Sequence, residues 1–572
     1  MRTRACLLLG LLVPSTALSW QIAPAAPPPP SGVVRDHQAQ PKTGSARLSG
    51  RVTAADTGRP LPRAEVVAAP PGLNAGQMEQ QSRWVTTDAD GRWELRGLPA
   101  GRYNVTVSKG GYLTLEFGQR RPYEQGKLLD VADGQVLQKI DLSLPKGGVI
   151  SGRILDEFGD PATPALVVAM RQRYVDGQRV LVPVEDTGIM MLFKGGLTDD
   201  TGAYRLHGLP PGTYYLSAMF GPIGLGRSDD PTTYAPTFYP GTPSIGQAQR
   251  VTVGVGQETQ NITFNLTTVR VARVAGTVVS SSGQPARASV RLAFTMPGAL
   301  GANRHSTTAS ADGAFTISSV PPGEYRLQAH LSQGVPVPEV ASILITVGGQ
   351  DVTGLAIATA PSATASGRVL FEGASNAAAR PGTISISAAP ATAGSALDIL
   401  SQGTTVLRDQ ETFELRALSG RRVFRIDNLP RGWLLKSVTL DGTDITDSGI
   451  EFKPGQNVSG IEIVLTARST VLSGAVQDDR GRPLTDYAVV AFPPESGKWG
   501  YQTRFVRTAR PNQDGRFDLE GLPPGDYLVA ALDYLGPGDE SDPDLLEKWR
   551  AGSTSVTLGD GEAKSVTLSL TR

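Results

Sequence analysis

The side chains that most often carry catalysis are scarce in this chain. Its 572 residues include four histidines (His37, His207, His305 and His330) and one cysteine, Cys6. A hydrolytic zinc needs a His-x-x-Glu pair and a distant third ligand, leaving one position open for water. None of the four histidines has a glutamate three or four residues away in that order. His207, His305 and His330 read as surface or hydrogen-bonded imidazoles in or beside hairpins. No Gly-x-Ser-x-Gly elbow occurs to expose a nucleophilic serine, and no Gly-x-x-x-x-Gly-Lys loop to cradle phosphates. Asp88-Ala89-Asp90-Gly91 looks like the start of a calcium loop, but Arg92 stands where the fifth position needs an oxygen ligand. Its counterparts open with Asp199, Ser310 and Asn512, which are turn residues rather than a ligand set. A distant carboxylate pair for glycoside hydrolysis leaves no local trace, yet the repeated units described below consume the chain. We therefore expect no catalytic residues, no metal and no cofactor. The alternative is a hydrolase or peptidase-associated accessory protein with an unrecognised site.

Aromatic rings are the remaining candidates, because a flat exposed ring packs on the apolar face of a sugar or anchors a protein partner. Trp93, Tyr204, Phe315 and Phe517 each follow a turn glycine by two residues and read as core. Tyr103, Tyr214, Tyr325 and Tyr527 each close a Leu-Pro-x-Gly-x-Tyr turn or its Val-Pro variant, and read as structural, with the hydroxyl tied to backbone. The rings that break the pattern are Tyr234, Phe238 and Tyr239, in an extra loop of the second unit, and Trp499 and Tyr501 in a loop of the fifth. Loops outside a repeat are where function concentrates. These five are the expected ligand-binding residues, for a polysaccharide or a cell-surface protein. Packing against the neighbouring unit is the competing reading.

The elements that must position these residues come as a repeat. A short strand opens with Ser-Gly or Ala-Gly at Gly50, Gly152, Gly276, Gly367 and Gly474. The turn glycines Gly91, Gly202, Gly313 and Gly515 precede an aromatic and then an aliphatic residue at period two, the pattern of a hairpin with one buried face. Pro-x-Gly then makes a tight turn, because Pro fixes φ and Gly accepts positive φ. In the fourth unit the turn glycine is replaced by Arg422, Phe424 and Ile426 stay in phase, and a worn turn runs from Leu429 to Leu434. Each unit closes with a further hairpin, as in Val131 to Leu144. About seven strands per unit, with turns every 8–12 residues, predict an all-β chain of five Greek-key-type sandwiches. Short junctions between them predict an elongated array and an elongated monomer. Helix is nearly absent, the best candidate being Ser541 to Trp549, where Asp542 and Pro543 supply an N-cap and first-turn proline.

The expected boundaries are a signal peptide at 1–19, a Pro-rich spacer at 20–45, and sandwiches at 46–145, 146–268, 269–360, 361–467 and 468–572. Arg2 and Arg4, the apolar run after them and Ala17-Leu18-Ser19 make the export signal. With Cys6 inside it, the mature protein holds no disulfide and depends on core burial. Basic and acidic residues balance at 54 each, which gives no electrostatic footprint for nucleic acid or anionic membrane. No later run is apolar enough to span a bilayer. The expected compartment is the periplasm or the exterior.

The Ser-Gly-x-Val opening, the Asp-Gly-x-aromatic hairpin and the Leu-Pro-x-Gly-x-Tyr turn together resemble the carboxypeptidase regulatory-like domain, a small sandwich similar to transthyretin. The resemblance covers most of residues 46–572, strongly in units one, two and five, and least in unit four. It implies the fold and a place among sandwiches that include sugar binders. It implies no active site, since that domain has none to carry over. Its implication is a non-catalytic exported binding or scaffold protein.

Overall fold

The computed structural model describes residues 44–572 except 72–80, 122, 176–177, 185–195, 221–231, 295–304, 336, 374–379, 382, 392–402, 409–410, 428, 431, 501–502 and 572. The expected signal peptide, nearly all of the spacer, Cys6, His37 and Tyr501 lie outside the described residues. Among those described, no helix is long and apolar enough to cross a membrane.

The architecture is all-β, built of β-sandwiches. In the first, Ala46–Ala54 runs antiparallel to Arg92–Leu98 and parallel to the closing strands Val136–Leu137 and Leu142–Leu144. The facing sheet has the order Arg83–Thr86, Glu65–Ala69, Gly101–Ser108, Leu115–Glu116. The last strands thus return beside the first, as a Greek-key connection does. The same central opening strand recurs in Gly148–Leu155, Ala272–Val279, Ala363–Glu372 and Val471–Gln477. Side chains alternate between core and solvent along the hairpin strand, as in Arg92–Leu98 and Ala314–Val320. Trp93, Tyr204, Phe315 and Phe517 are each buried. Each sheet pair closes over its own apolar cluster, centred on residues such as Leu48, Ile150, Val274, Val369 and Leu472. Burial of each large side chain contributes about 1.5–3 kcal/mol.

The recurring glycine of the opening strand has a steric cause. Gly50 pairs with Trp93, Gly152 with Tyr204, Gly276 with Phe315, Gly367 with Phe413 and Gly474 with Phe517. On its other side the closing strand comes so near that a Cβ on Gly152 would sit 1.9 Å from the Ile262 carbonyl oxygen, and one on Gly474 2.1 Å from that of Val566. Only a residue without a side chain lets the parallel strand approach. The tyrosine that ends each turn is anchored as expected: the hydroxyls of Tyr103, Tyr325 and Tyr527 donate to the carbonyls of Pro99, Pro321 and Pro523 at 2.9, 2.9 and 2.8 Å. Tyr214 bonds Pro210 in the same way.

The fourth unit corrects the sequence reading. Its hairpin strand is Thr412–Leu418, with Phe413 opposite Gly367, and not the segment carrying Phe424. Gly420–Asp427 is the next strand, in the facing sheet. Arg422 stands there where the other units place tyrosine, buried, with its Nε donating to the Ser419 carbonyl at 2.8 Å. It serves the turn as the tyrosine hydroxyl does elsewhere. The segment expected as a worn turn instead leads into Leu434–Leu440, an added strand beside Asn457–Thr466. The expected helix forms over Pro543–Arg550, capped by the Asp542 side chain accepting from the Asp544 amide at 2.9 Å.

Candidate functional site

The irregular aromatics among the described residues, Tyr234, Phe238, Tyr239 and Trp499, are engaged in packing. Trp499 follows a short 3-10 turn, Ser496–Lys498, and is only 5% exposed. It packs with Phe492, Val506 and Leu546, the last from the helix, and its Nε1 donates to the Pro493 carbonyl at 2.8 Å. Trp499 as an exposed sugar-stacking ring is therefore corrected: the helix Pro543–Arg550, between the strands Gly525–Leu532 and Thr554–Leu558, supplies an apolar cover that local sequence does not announce. Phe238 is buried as well, with Met170 and Leu181. Tyr239 is half-buried, edge-on to Phe264 with centroids 5.8 Å apart. Tyr234 is half-buried, edge-on to Phe220 at 5.0 Å, with its hydroxyl on the Glu157 carboxylate. Each group of rings serves its own sheet pair, and Phe238 and Trp499 present no open face.

Asp88 confirms the turn reading of the calcium-like stretch, its carboxylate accepting from the amides of Asp90 and Arg92 at 2.9 and 2.8 Å. His305 and His330 lie in one sheet of the third unit, on the strands His305–Thr308 and Gly323–Leu331 that flank Ser289–Phe294, and burial lowers the pKa of both, with Arg291 adding to the effect at His330. Among the described residues no cluster of three histidine, cysteine, aspartate or glutamate side chains could hold a metal.

What the sequence does not announce is a polar joint between the first and fifth sandwiches. Arg510 forms ion pairs with Glu124 and, at 2.6 Å, with Asp486. The side chains of Arg510 and Glu124 are each 3% exposed. Glu124 also accepts from the amides of Arg120 and Arg121 at 2.8 and 3.1 Å, so its charge is held from both sandwiches. Lys127 reaches the Thr485 carbonyl and Asp486; burial, joined by the neighbouring Arg510 and Arg120, lowers its pKa against the opposing effect of Asp486. Nearby, Arg102 pairs with Glu520 at 3.2 Å, and Asn512 donates to Asp130 at 2.9 Å. The expected elongated array is corrected in this one respect: the first and last units touch, through partners nearly four hundred residues apart. Charged residues at such separations leave no periodic signal, so sequence reading passes over them.

The fifth sandwich also meets the fourth. Arg504 forms a two-point pair with Asp447 at 2.8 and 2.9 Å and donates to the carbonyls of Leu435 and Lys436, each at 3.1 Å. Beside this contact opens a cleft of about 660 Å³, lined among others by Trp433, Arg425, Asp427, Arg507 and Glu520. Arg507 sits on the strand Arg507–Ala509, three residues before Arg510. Among the described residues its guanidinium donates only to backbone carbonyls, of Val506 at 3.2 Å and Thr503 at 3.5 Å. Burial, and to a lesser degree the neighbouring Arg504, lowers its pKa. The arrangement suits recognition of an anionic, hydrogen-bonding group.

Residues 47–144 match the family described as the carboxypeptidase regulatory-like domain. No curated protein matches the chain. Among solved structures, an ancillary pilin of Streptococcus is 12% identical, with 55% of this chain and 99% of that one covered and a TM-score of 0.21. A minor pilin of Streptococcus agalactiae is 18% identical over 39% of this chain and 95% of that one, TM-score 0.21. The shaft pilin of Lactobacillus rhamnosus GG is 11% identical over 39% and 98%, TM-score 0.17. Alignments of such low score transfer no activity to this chain.

Proposed function

We propose that this chain is an exported, non-catalytic scaffold of five sandwich domains, with the boundaries given above, that presents binding surfaces to a polysaccharide or cell-surface protein in the periplasm or outside the cell. The observation that carries the reading is the buried Arg510–Glu124 pair with Asp486, which ties the last sandwich to the first. A buried ionic joint fixes geometry between otherwise separate cores, because misalignment leaves a charge desolvated and unpaired. Fixed geometry between rigid modules is what a scaffold requires. The burial of Trp499 and Phe238 turns those rings from ligand contacts into structural parts, which favours the scaffold reading over a sugar site at those rings.

The test has two arms. In the first, the protein is expressed in a Gram-negative host, and the mature N-terminus from the periplasm or medium is sequenced; Trp20 is expected, and retention of the intact leader in the cytoplasm counts against export. In the second, Asp130→Cys and Gln513→Cys are combined in the mature chain, which has no other cysteine once the leader carrying Cys6 is removed. The native residues at these two positions meet at 3.2 Å. A short thiol crosslinker is expected to join the two positions in monomeric protein, and failure to do so removes the joint on which the reading stands.

A further inference from the structure

We propose that the cleft between the fourth and fifth sandwiches binds a hydroxylated carboxylic acid, whose carboxylate is taken by Arg507. This deepens the scaffold reading, on which it rests, by giving one of its surfaces a ligand class. The cleft, at about 660 Å³, falls in the size range of small-molecule sites, about 300–1,000 Å³. Arg507 brings to it a positive charge that no carboxylate of the described residues balances within ion-pair distance, its bonds there being to the Thr503 and Val506 carbonyls. The adjacent Arg504 is already engaged by Asp447, so it does not compete for a ligand. A guanidinium left in this state gains a strong, two-point bond when a carboxylate arrives.

The rest of the lining defines the body of the ligand. Asp427 is exposed, with no ion pair among the described residues, and Glu520 lines the same cleft. With Glu520 paired to Arg102 and Arg504 to Asp447, Asp427 is the carboxylate of the described lining left to accept from a hydroxyl group, which favours a carboxylic acid that carries hydroxyls. Trp433, held edge-on against Phe371 with centroids 5.8 Å apart, lines the cleft and offers apolar surface to the carbon skeleton. A uronic acid unit has this combination of carboxylate, hydroxyls and apolar ring face. It can arrive as the free acid or within a polysaccharide.

The mature full chain is titrated calorimetrically with D-galacturonate, its neutral parent D-galactose, inorganic phosphate and a short galacturonate oligomer. Galacturonate is expected to saturate one site, with galactose and phosphate each at least about tenfold weaker. Arg507→Gln is expected to weaken galacturonate at least about tenfold with the melting temperature unchanged. Asp427→Asn, at an exposed position, is expected to weaken it several-fold and keeps the test open should Arg507→Gln misfold. Tighter binding of the oligomer than of the monomer identifies a polysaccharide source, and equal binding a free acid; both support the proposal. No saturable galacturonate binding, unchanged affinity in both variants, or phosphate binding as tightly as galacturonate overturns it. If it is overturned while the chain carrying Asp130→Cys and Gln513→Cys still crosslinks, the scaffold reading stands and the cleft alone is lost.

Discussion

Arg507 and Arg510 lie three residues apart on the same edge of the fifth sandwich and meet opposite fates. Arg510 turns toward the first sandwich and finds Glu124 in a buried contact, beside Asp486 of its own unit. Arg507 lines the cleft shared with the fourth and donates to backbone carbonyls of its own unit, Thr503 and Val506. The two residue types are identical, so the difference lies wholly in what the tertiary arrangement sets against them. A buried guanidinium matched by carboxylates holds structure together. One left unmatched beside a cavity is available to a ligand.

The contrast is broken most severely at Glu124. Glu124→Ala leaves the buried Arg510, which does not give up its proton, with Asp486 as its one remaining carboxylate partner, and is expected to cost about 3 kcal/mol. Urea denaturation of the mature chain measures it, and a loss below about 1 kcal/mol would show the joint to be solvated. An intermediate effect is expected at Arg504, where Arg504→Ala removes a partly exposed two-point pair and two carbonyl bonds. The expected cost is about 1–2 kcal/mol by the same denaturation measurement. Arg507→Met is the sharpest check on the comparison. It breaks no ion pair seen among the described residues and relieves a desolvated charge, so stability should change by no more than about 0.5 kcal/mol in either direction. A fall as large as that for Glu124→Ala would mean Arg507 is structural after all.

The smallest expected effect is in the pH dependence at Lys127. Burial lowers its pKa from the ordinary value of 10.5 in the folded protein, so as pH rises the folded state releases this proton before the unfolded state does. In the window between the two values the unfolded chain binds more protons, and stability must rise with pH. The stability of wild type relative to Lys127→Met is therefore expected to increase as pH climbs toward 10.5 and then to level off. Denaturation midpoints of the two proteins at a series of alkaline pH values would show it, and parallel midpoints throughout would count against it.

The repeat is legible because its physics is local. Asp-Gly and Pro-x-Gly steps force turns wherever they occur, and period-two alternation marks a half-buried strand, so spacing alone assigns Trp93, Phe517 and Tyr103 to the core. Even the hydroxyl-to-backbone bond of the turn tyrosine follows, since it closes within four residues. The fourth unit departs from expectation where that local signal fails. Arg422 replaces tyrosine there, and Phe424, on the strand after the one carrying Phe413, mimics the phase of a hairpin aromatic. Trp499 departs for a different reason. Its burial depends on Leu546, nearly fifty residues on, from a helix that the sequence announces but whose docking it does not.

The sequence by itself determined the all-β class, the succession of sandwich units and the residues that fill their cores, because each turn and each alternating strand is specified over a handful of neighbouring positions. Tertiary structure alone decided which surfaces of those sandwiches meet. Glu124 and Arg510 become partners only when two separately folded modules are brought together, and nothing in the local chemistry of either segment encodes the other. The same is true of the cleft at Arg507, whose walls come from two sandwiches. Turn and strand preferences act over a few residues, whereas charge pairing and cavity formation depend on distances in space that only the assembled fold sets.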